Sequence, residues 1–238
     1  MTTPLIVIRP EPGCAATLAA AAALGIEAWG FPLYELAPLA WLPPAPDDFD
    51  ALLVGSANVV RHAGTALALY RGQPAYVVGE RTAAAVREVG LEVAAIGGDG
   101  LQSALARLAP DHRRLLRLAG RERIDLVPPD GVTIVAREVY ASRPLPMPAK
   151  LARLLRVAAI PRFVVALHSG EAARHFGTEC DRLDIPRRRI ALAAIGPRVA
   201  ALAGEGWAEC GVAVTPDDAA LLALAGQLCQ KPGGIIEG

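Results

Sequence analysis

The chain has 238 residues, 53% of them apolar, and 24 Lys and Arg against 24 Asp and Glu. That length holds one large domain or two of ordinary size, with enough apolar residues for buried cores. Zero net charge excludes a general polyanion-binding surface, and so argues against a nucleic-acid partner, while a basic patch inside a cleft stays open.

Leu5–Ile8 is a short, fully apolar run, the pattern of a parallel strand covered on both faces. Arg9-Pro10 ends it, and a helix is predicted over Cys14–Leu24, stopped by Gly25. Glu27–Phe31 reads as the second strand. Pro32–Leu39 is proline-bracketed, which disfavours helix and predicts an extended segment. Pro43-Pro44-Ala45-Pro46 then makes a stiff spacer.

From Asp50 to Tyr140 a self-contained series follows, with strands predicted at Ala51–Val54, Ala75–Val78, Leu91–Ala95, Arg114–Ala119 and Thr133–Tyr140. Helices between them, Leu101–Leu108 among these, give the alternation of a doubly wound parallel sheet. A second proline-rich crossing covers Arg143–Pro148. Strands at Phe163–Leu167, Ile190–Ile195 and Gly211–Val214 resume the pattern, and a last helix is predicted over Ala219–Leu228.

Part of this series occurs twice. Ala75–Gly90 runs an apolar strand into Gly79 and an Ala-rich helix, and Leu192–Gly206 does the same through Gly196. Upstream, Asp50–Val60 echoes Phe163–Ala173. Two copies are too few for a solenoid, so two similar α/β lobes are expected. The opening segment supplies two strands and the closing one three, each too little to bury its own faces. Joined, they match the five strands of the middle. The expected division is therefore a first lobe from 1–35 plus 148–230, a second from 50–140, hinge crossings at 36–49 and 141–147, and a frayed tail at 231–238. A cleft between such lobes is a default ligand site.

Ligands of open parallel sheets sit beyond the carboxyl ends of the strands, where helix N-termini favour anions. Ser56-Ala57-Asn58, Gly79–Thr82, Gly120–Arg123, Ser169–Glu171 and Gly196–Arg198 occupy such turns. Together they suit a large ligand with several carboxylates or phosphates; taken singly, each is also what helix capping requires. No phosphate-loop, dinucleotide or serine-hydrolase motif is present. Gly97–Gly100 reads as a turn, His168 as a surface or capping histidine, and Arg187-Arg188-Arg189 as a solvated loop. Four histidines and four scattered cysteines show no metal-ligand or disulfide-framework spacing. The N-terminal residues lack a basic flank, and no uncharged run is long enough for a bilayer, so a soluble cytoplasmic protein without a membrane partner is expected.

Arg9-Pro10, Pro32-Leu-Tyr-Glu35, Ser56 in Leu-Val-Gly-Ser-Ala-Asn, and Val78-Gly-Glu-Arg-Thr-Ala83 follow one another along the chain. Val139-Tyr140, Ser169 in Leu-His-Ser-Gly, Ala194-Ile-Gly-Pro197 and Thr215-Pro216 continue the order. On these motifs rests a resemblance, over about residues 1–230, to the uroporphyrinogen-III synthase family. It implies a monomeric, cofactor-free enzyme of two flavodoxin-like lobes on a two-stranded linker. The implied reaction dehydrates and cyclises hydroxymethylbilane, a substrate with eight carboxylates, inverting its last pyrrole ring. Tyr140 matches the cleft tyrosine and is the expected proton donor. Arg9, Ser56, Asn58, Gly79, Thr82, Arg121, Ser169, Gly196 and Arg198 are the expected substrate-binding residues.

Three departures stand out. Ile8 replaces the family's frequent threonine, Arg198-Val199 replace a threonine pair, and Gly120–Gly131 is short for the helix expected there. A non-catalytic bilobal module that binds or senses a small anion is the alternative reading.

Overall fold

A computed structural model describes residues 3–156 and 162–231, so the expected tail lies, from residue 232 on, outside the described residues. The chain divides into two compact units, Met1–Glu35 with Arg143–Gly238, and Leu36–Ser142.

The first unit begins with β1 (Leu5–Val7), α1 (Gly13–Ala23) and β2 (Ala28–Gly30). The chain then passes through β3 (Tyr34–Pro38) into the second unit: β4 (Ala51–Val54), α2 (Asn58–His62), β5 (Pro74–Val78), α3 (Gly79–Glu88), β6 (Glu92–Gly97), α4 (Leu101–Leu105), β7 (Arg114–Gly120) and β8 (Thr133–Pro144). It returns with α5 (Ala149–Arg156), β9 (Phe163–Leu167), α6 (Gly170–Arg182), β10 (Ile190–Ala194), α7 (Pro197–Ala203), β11 (Glu209–Val212) and α8 (Asp218–Gln230).

Five parallel strands form the first sheet, in the order β11-β10-β9-β1-β2. Leu5 sits opposite both Ala28 and Val164, so the chain's opening strand is central although it is made first. Because side chains alternate across a strand, each apolar run feeds two cores. Ile6, Ile8, Val165, Leu167 and Leu192 face α5 and α6 through Leu151, Leu155 and Phe176. Leu5, Val7, Val164, Ala166 and Ala193 face α1 and α8 through Cys14, Ala21, Leu221 and Leu228. Two-sided burial is the reason these strands read as unbroken apolar runs.

The second sheet is mixed and has six strands, β3-β8-β7-β4-β5-β6, where sequence reasoning expects five. The sixth is the first proline-bracketed crossing. Leu39 N–H donates to the Val139 carbonyl at 3.0 Å, and Leu145 N–H to that of Leu33 at 2.8 Å, so β3 and β8 run antiparallel. Pro32 and Pro38 are tolerated because β3 lies at the sheet edge. β8 likewise continues to Pro144, past the Tyr140 boundary expected for it. Apart from β3, the two sheets share one spatial order. β9-β10-β11 takes the place of β4-β5-β6, and β1-β2 that of β7-β8. The sequence echo between residues 50–90 and 163–206 is this equivalence.

Other differences are local. β11 ends at Val212 instead of Val214, which is 94% exposed. Residues 121–132 contain neither helix nor strand, in keeping with the shortness of that segment. The Arg187–Arg189 stretch is a 3-10 turn, and Arg187 is no solvated loop residue. Its guanidinium pairs with Asp181 at 2.6 Å, donates to the Gly177 and Glu205 carbonyls, and stacks on Trp207 at 4.8 Å.

Candidate active site

In the second unit β4, β5, β7 and β8 are mutually parallel, so their carboxyl ends and the loops after them gather at one edge of the sheet. A cavity of about 290 Å³ opens there, lined by Gly55 and Ser56 after β4, Val78 at the end of β5, Gly120 at the end of β7, and Tyr140 on β8.

Tyr140 is half-buried, and its ring packs against Gly120 so closely that a Cβ at position 120 would lie 2.7 Å from Cε2. Burial, the largest influence, pushes the phenol pKa above its ordinary value. The Ser56 hydroxyl and the Gly120 backbone pull it back, while the Glu122 charge raises it further. The net effect keeps Tyr140 a protonated donor at neutral pH. The His62 ring lies 5.7 Å from the tyrosine ring, and burial, then Arg61, favours its neutral form.

The other expected residues of this unit differ in availability. Ser56 Oγ accepts from the Asn58 N–H at 3.2 Å, and Asn58 Oδ1 accepts from Arg61 at 2.8 Å. Gly79 starts α3 with φ +71°, a left-handed conformation that a side chain would strain. Thr82 is buried on that helix beside Ala83 and Val86. Arg121 is already engaged: its Nε pairs with Glu138 at 3.1 Å, and Arg123 pairs with the other oxygen at 2.9 Å. Those two cations, Arg123 first, hold the Glu138 carboxyl below its ordinary range.

In the first unit the same edge carries Arg9, His168, Ser169, Gly196 and Arg198, after β1, β9 and β10. Arg9 Nη1 donates to both Asp218 oxygens, at 2.8 and 3.0 Å, and to Thr17 at 3.3 Å, so its charge is spent on the start of α8. Ser169 caps α6, accepting from the Ala172 N–H at 3.2 Å. Gly196 precedes α7 in extended conformation, and Arg198 stands exposed on its first turn.

His168 is neither a surface nor a capping residue. Its side chain is 8% exposed, and both ring nitrogens are buried without a hydrogen-bond partner of good geometry. Nε2 lies 3.6 Å from Asp218 Oδ1. Burial, reinforced by Arg9, pulls its pKa down to about 4 against the opposing pull of Asp218, so the ring is neutral at pH 7.

Sequence reasoning passes over Arg117, which also lines the cavity. The available signal is a lone cation inside the apolar run Leu115–Ala119. Among the described residues no cluster of potential metal ligands occurs, and no helix is long and apolar enough to cross a membrane.

Comparison with known proteins accords with this geometry. A family model described as uroporphyrinogen-III synthase HemD matches residues 15–223. No curated protein sequence matches the chain. Among solved structures, a uroporphyrinogen-III synthetase from Helicobacter pylori 26695 superposes with TM-score 0.61 at 16% identity, over 95% of this chain and 99% of that one. A mutant uroporphyrinogen III synthase from the extremely thermophilic bacterium Thermus thermophilus gives TM-score 0.44 at 16% identity, over 96% of this chain and 100% of that one. The first likeness supports the α/β fold, and the family model spans nearly the whole described chain. The protein thus belongs to the uroporphyrinogen-III synthase family and is a cyclising lyase of tetrapyrrole biosynthesis.

Proposed function

We propose that the protein dehydrates hydroxymethylbilane and closes it into the macrocycle with its last pyrrole ring inverted, with Tyr140 as proton donor. The observation that carries this reading is the placement of Tyr140: a half-buried phenol kept protonated, lining a cavity at the carboxyl ends of parallel strands. The hydroxymethyl C–O bond breaks with its electron pair on oxygen, and the Tyr140 proton completes the departing water. An azafulvene cation remains, and the substituted carbon of the last ring attacks it to give a spiro centre. The bond from that carbon to its original methylene bridge then breaks, which restores the ring's aromaticity and leaves an azafulvene cation on the neighbouring ring. The free α-carbon of the last ring attacks that methylene, and the proton lost from this carbon returns to the phenolate, so the net change is loss of one water. The Ser56 hydroxyl and Gly120 amide stabilise the phenolate while it exists. The remaining work is positioning, which is where an enzyme gains rate without an activated nucleophile.

On this reading the two units are flavodoxin-like lobes; in chain order the strands of the first unit run 2-1-3-4-5, the order of that fold. Ser56, Asn58, Gly79, Thr82 and Arg121 in one, and Arg9, Ser169, Gly196 and Arg198 in the other, bind the substrate's carboxylates. Many of these contacts run through backbone N–H groups and capped helix starts, since Arg9 and Arg121 already hold acidic partners. The protein acts as a cytoplasmic monomer without cofactor. A non-catalytic anion sensor is not favoured, because family membership brings a lyase activity.

The test is incubation with enzymatically generated hydroxymethylbilane and separation of the two isomers. Wild-type protein should yield the inverted isomer, and Tyr140→Phe should slow it about a hundredfold or more while keeping the fold. An unchanged rate would reduce Tyr140 to packing, and a wild type giving only the uninverted isomer would return the protein to the sensor reading.

A further inference from the structure

Two charged side chains are buried among the described residues, and they are treated differently. Glu179 accepts three hydrogen bonds from Arg182 and Met147. Arg117, 8% exposed, has no hydrogen bond or ion pair, and its buried Nε is unpartnered. It sits on β7, a central strand, two residues from Leu115 and Ala119, so alternation places it on a face otherwise built from Leu53, Tyr76, Leu105 and Leu115. An isolated cation on such a face is costly, and a well-packed apolar residue would be more stable there.

The cost is explained by what lies over it. Where a helix would normally cover the sheet beyond β7, residues 121–132 form an irregular loop, and the cavity of about 290 Å³ opens beside Arg117. Burial and then the Arg123 charge weaken the guanidinium's hold on its proton, and Asp125 opposes them from the loop without forming an ion pair. Arg123 itself is satisfied by Glu138 and by backbone carbonyls. Arg117 is therefore left with donors for an anion that the protein does not supply. The same cavity holds Tyr140, and its volume falls just below the range of about 300–1,000 Å³ typical of whole-ligand pockets, so it takes one arm of a large ligand.

We infer that this cavity is a carboxylate subsite, in which Arg117 clamps one acetate or propionate arm of the substrate and so sets the position of the reacting ring against Tyr140. The inference rests on the proposed reading of the reaction, and it adds a binding residue that the motifs do not mark. A guanidinium suits the task because it meets a carboxylate with two parallel bonds and fixes its plane.

The experiment compares Arg117→Met and Arg117→Lys with wild type in three measurements: isomer-resolved kinetics, thermal unfolding, and fluorescence titration with uroporphyrin, an octacarboxylate. Arg117→Met should raise KM about ten- to a hundredfold with a smaller change in kcat, and weaken the octacarboxylate by a similar factor. It should leave Tm equal or higher, because an uncompensated buried charge has been removed. Arg117→Lys should recover part of the affinity. A lower Tm with wild-type KM and titration would make Arg117 a structural residue and overturn the inference. Should Arg117→Met fail to fold, the lysine variant decides, and wild-type KM and affinity in it would likewise overturn the subsite. A wild type that makes no inverted isomer sinks the catalytic reading alone, since the titration still tests Arg117.

Discussion

Replacing Glu179 with glutamine should cost about 2–3 kcal/mol at pH 7, and the cost should vanish in acid. Glu179 lies on α6, almost fully buried, and accepts from the Met147 N–H at 2.6 Å and from Arg182 Nε and Nη2 at 2.8 and 2.6 Å. The Arg182 bonds, then the Met147 N–H, hold its pKa at about 2 against an ordinary 4.5. A carboxyl held that far below its ordinary value corresponds to roughly 3 kcal/mol of stability. Because the folded-state pKa is the lower one, that stability is fully present above about pH 4.5 and is lost as pH falls towards 2. Geometry gives a similar figure: a hydrogen bond to a charged group contributes about 1.5–3 kcal/mol. Glutamine keeps a carbonyl for Met147 but loses the charge and the acceptor that met Arg182 Nε, and the half-exposed Arg182 returns to water. Chemical denaturation of both proteins across pH 2–7 checks this. A variant within about 0.5 kcal/mol of wild type at pH 7, or a gap that persists unchanged at pH 2, would refute the reasoning.

Three further outcomes are expected. Gly120→Ala should displace the Tyr140 ring, whose Cε2 would lie 2.7 Å from the new methyl, and lower isomer-resolved turnover well beyond its effect on Tm. His168 has a folded pKa of about 4 against an ordinary 6.5, so the unfolded chain binds more protons between these values. Wild type should therefore lose stability as pH falls from about 6.5 to 4, and His168→Asn should lose less, as read by Tm against pH. Arg198→Ala should raise KM about tenfold with little change in kcat, and Arg198→Lys should recover part of it; wild-type KM in the alanine variant would remove Arg198 from the site.

The strands with the clearest sequence signal are those covered on both faces, Leu5–Val7, Ala51–Val54, Phe163–Leu167 and Ile190–Ala194. Two-sided burial demands unbroken apolar runs, and such runs are a local property of the chain. The sequence echo and Gly79, which opens α3 with positive φ, are legible for the same reason, since backbone conformation at a turn is decided by the residue standing there. Tyr140 and the capping role of Ser169 follow from position in the motifs. Partnership is another matter. Arg9 meets Asp218 across 209 residues, a pairing that no local pattern announces. The first proline crossing becomes a sixth strand only because β8 runs on to pair with it. Arg117 and His168 look like ordinary polar residues in their local contexts, and each is desolvated only once distant elements close over it. Local propensity and burial pattern are written residue by residue, whereas which charges lose water, and which find a partner, depends on contacts between segments far apart in the chain.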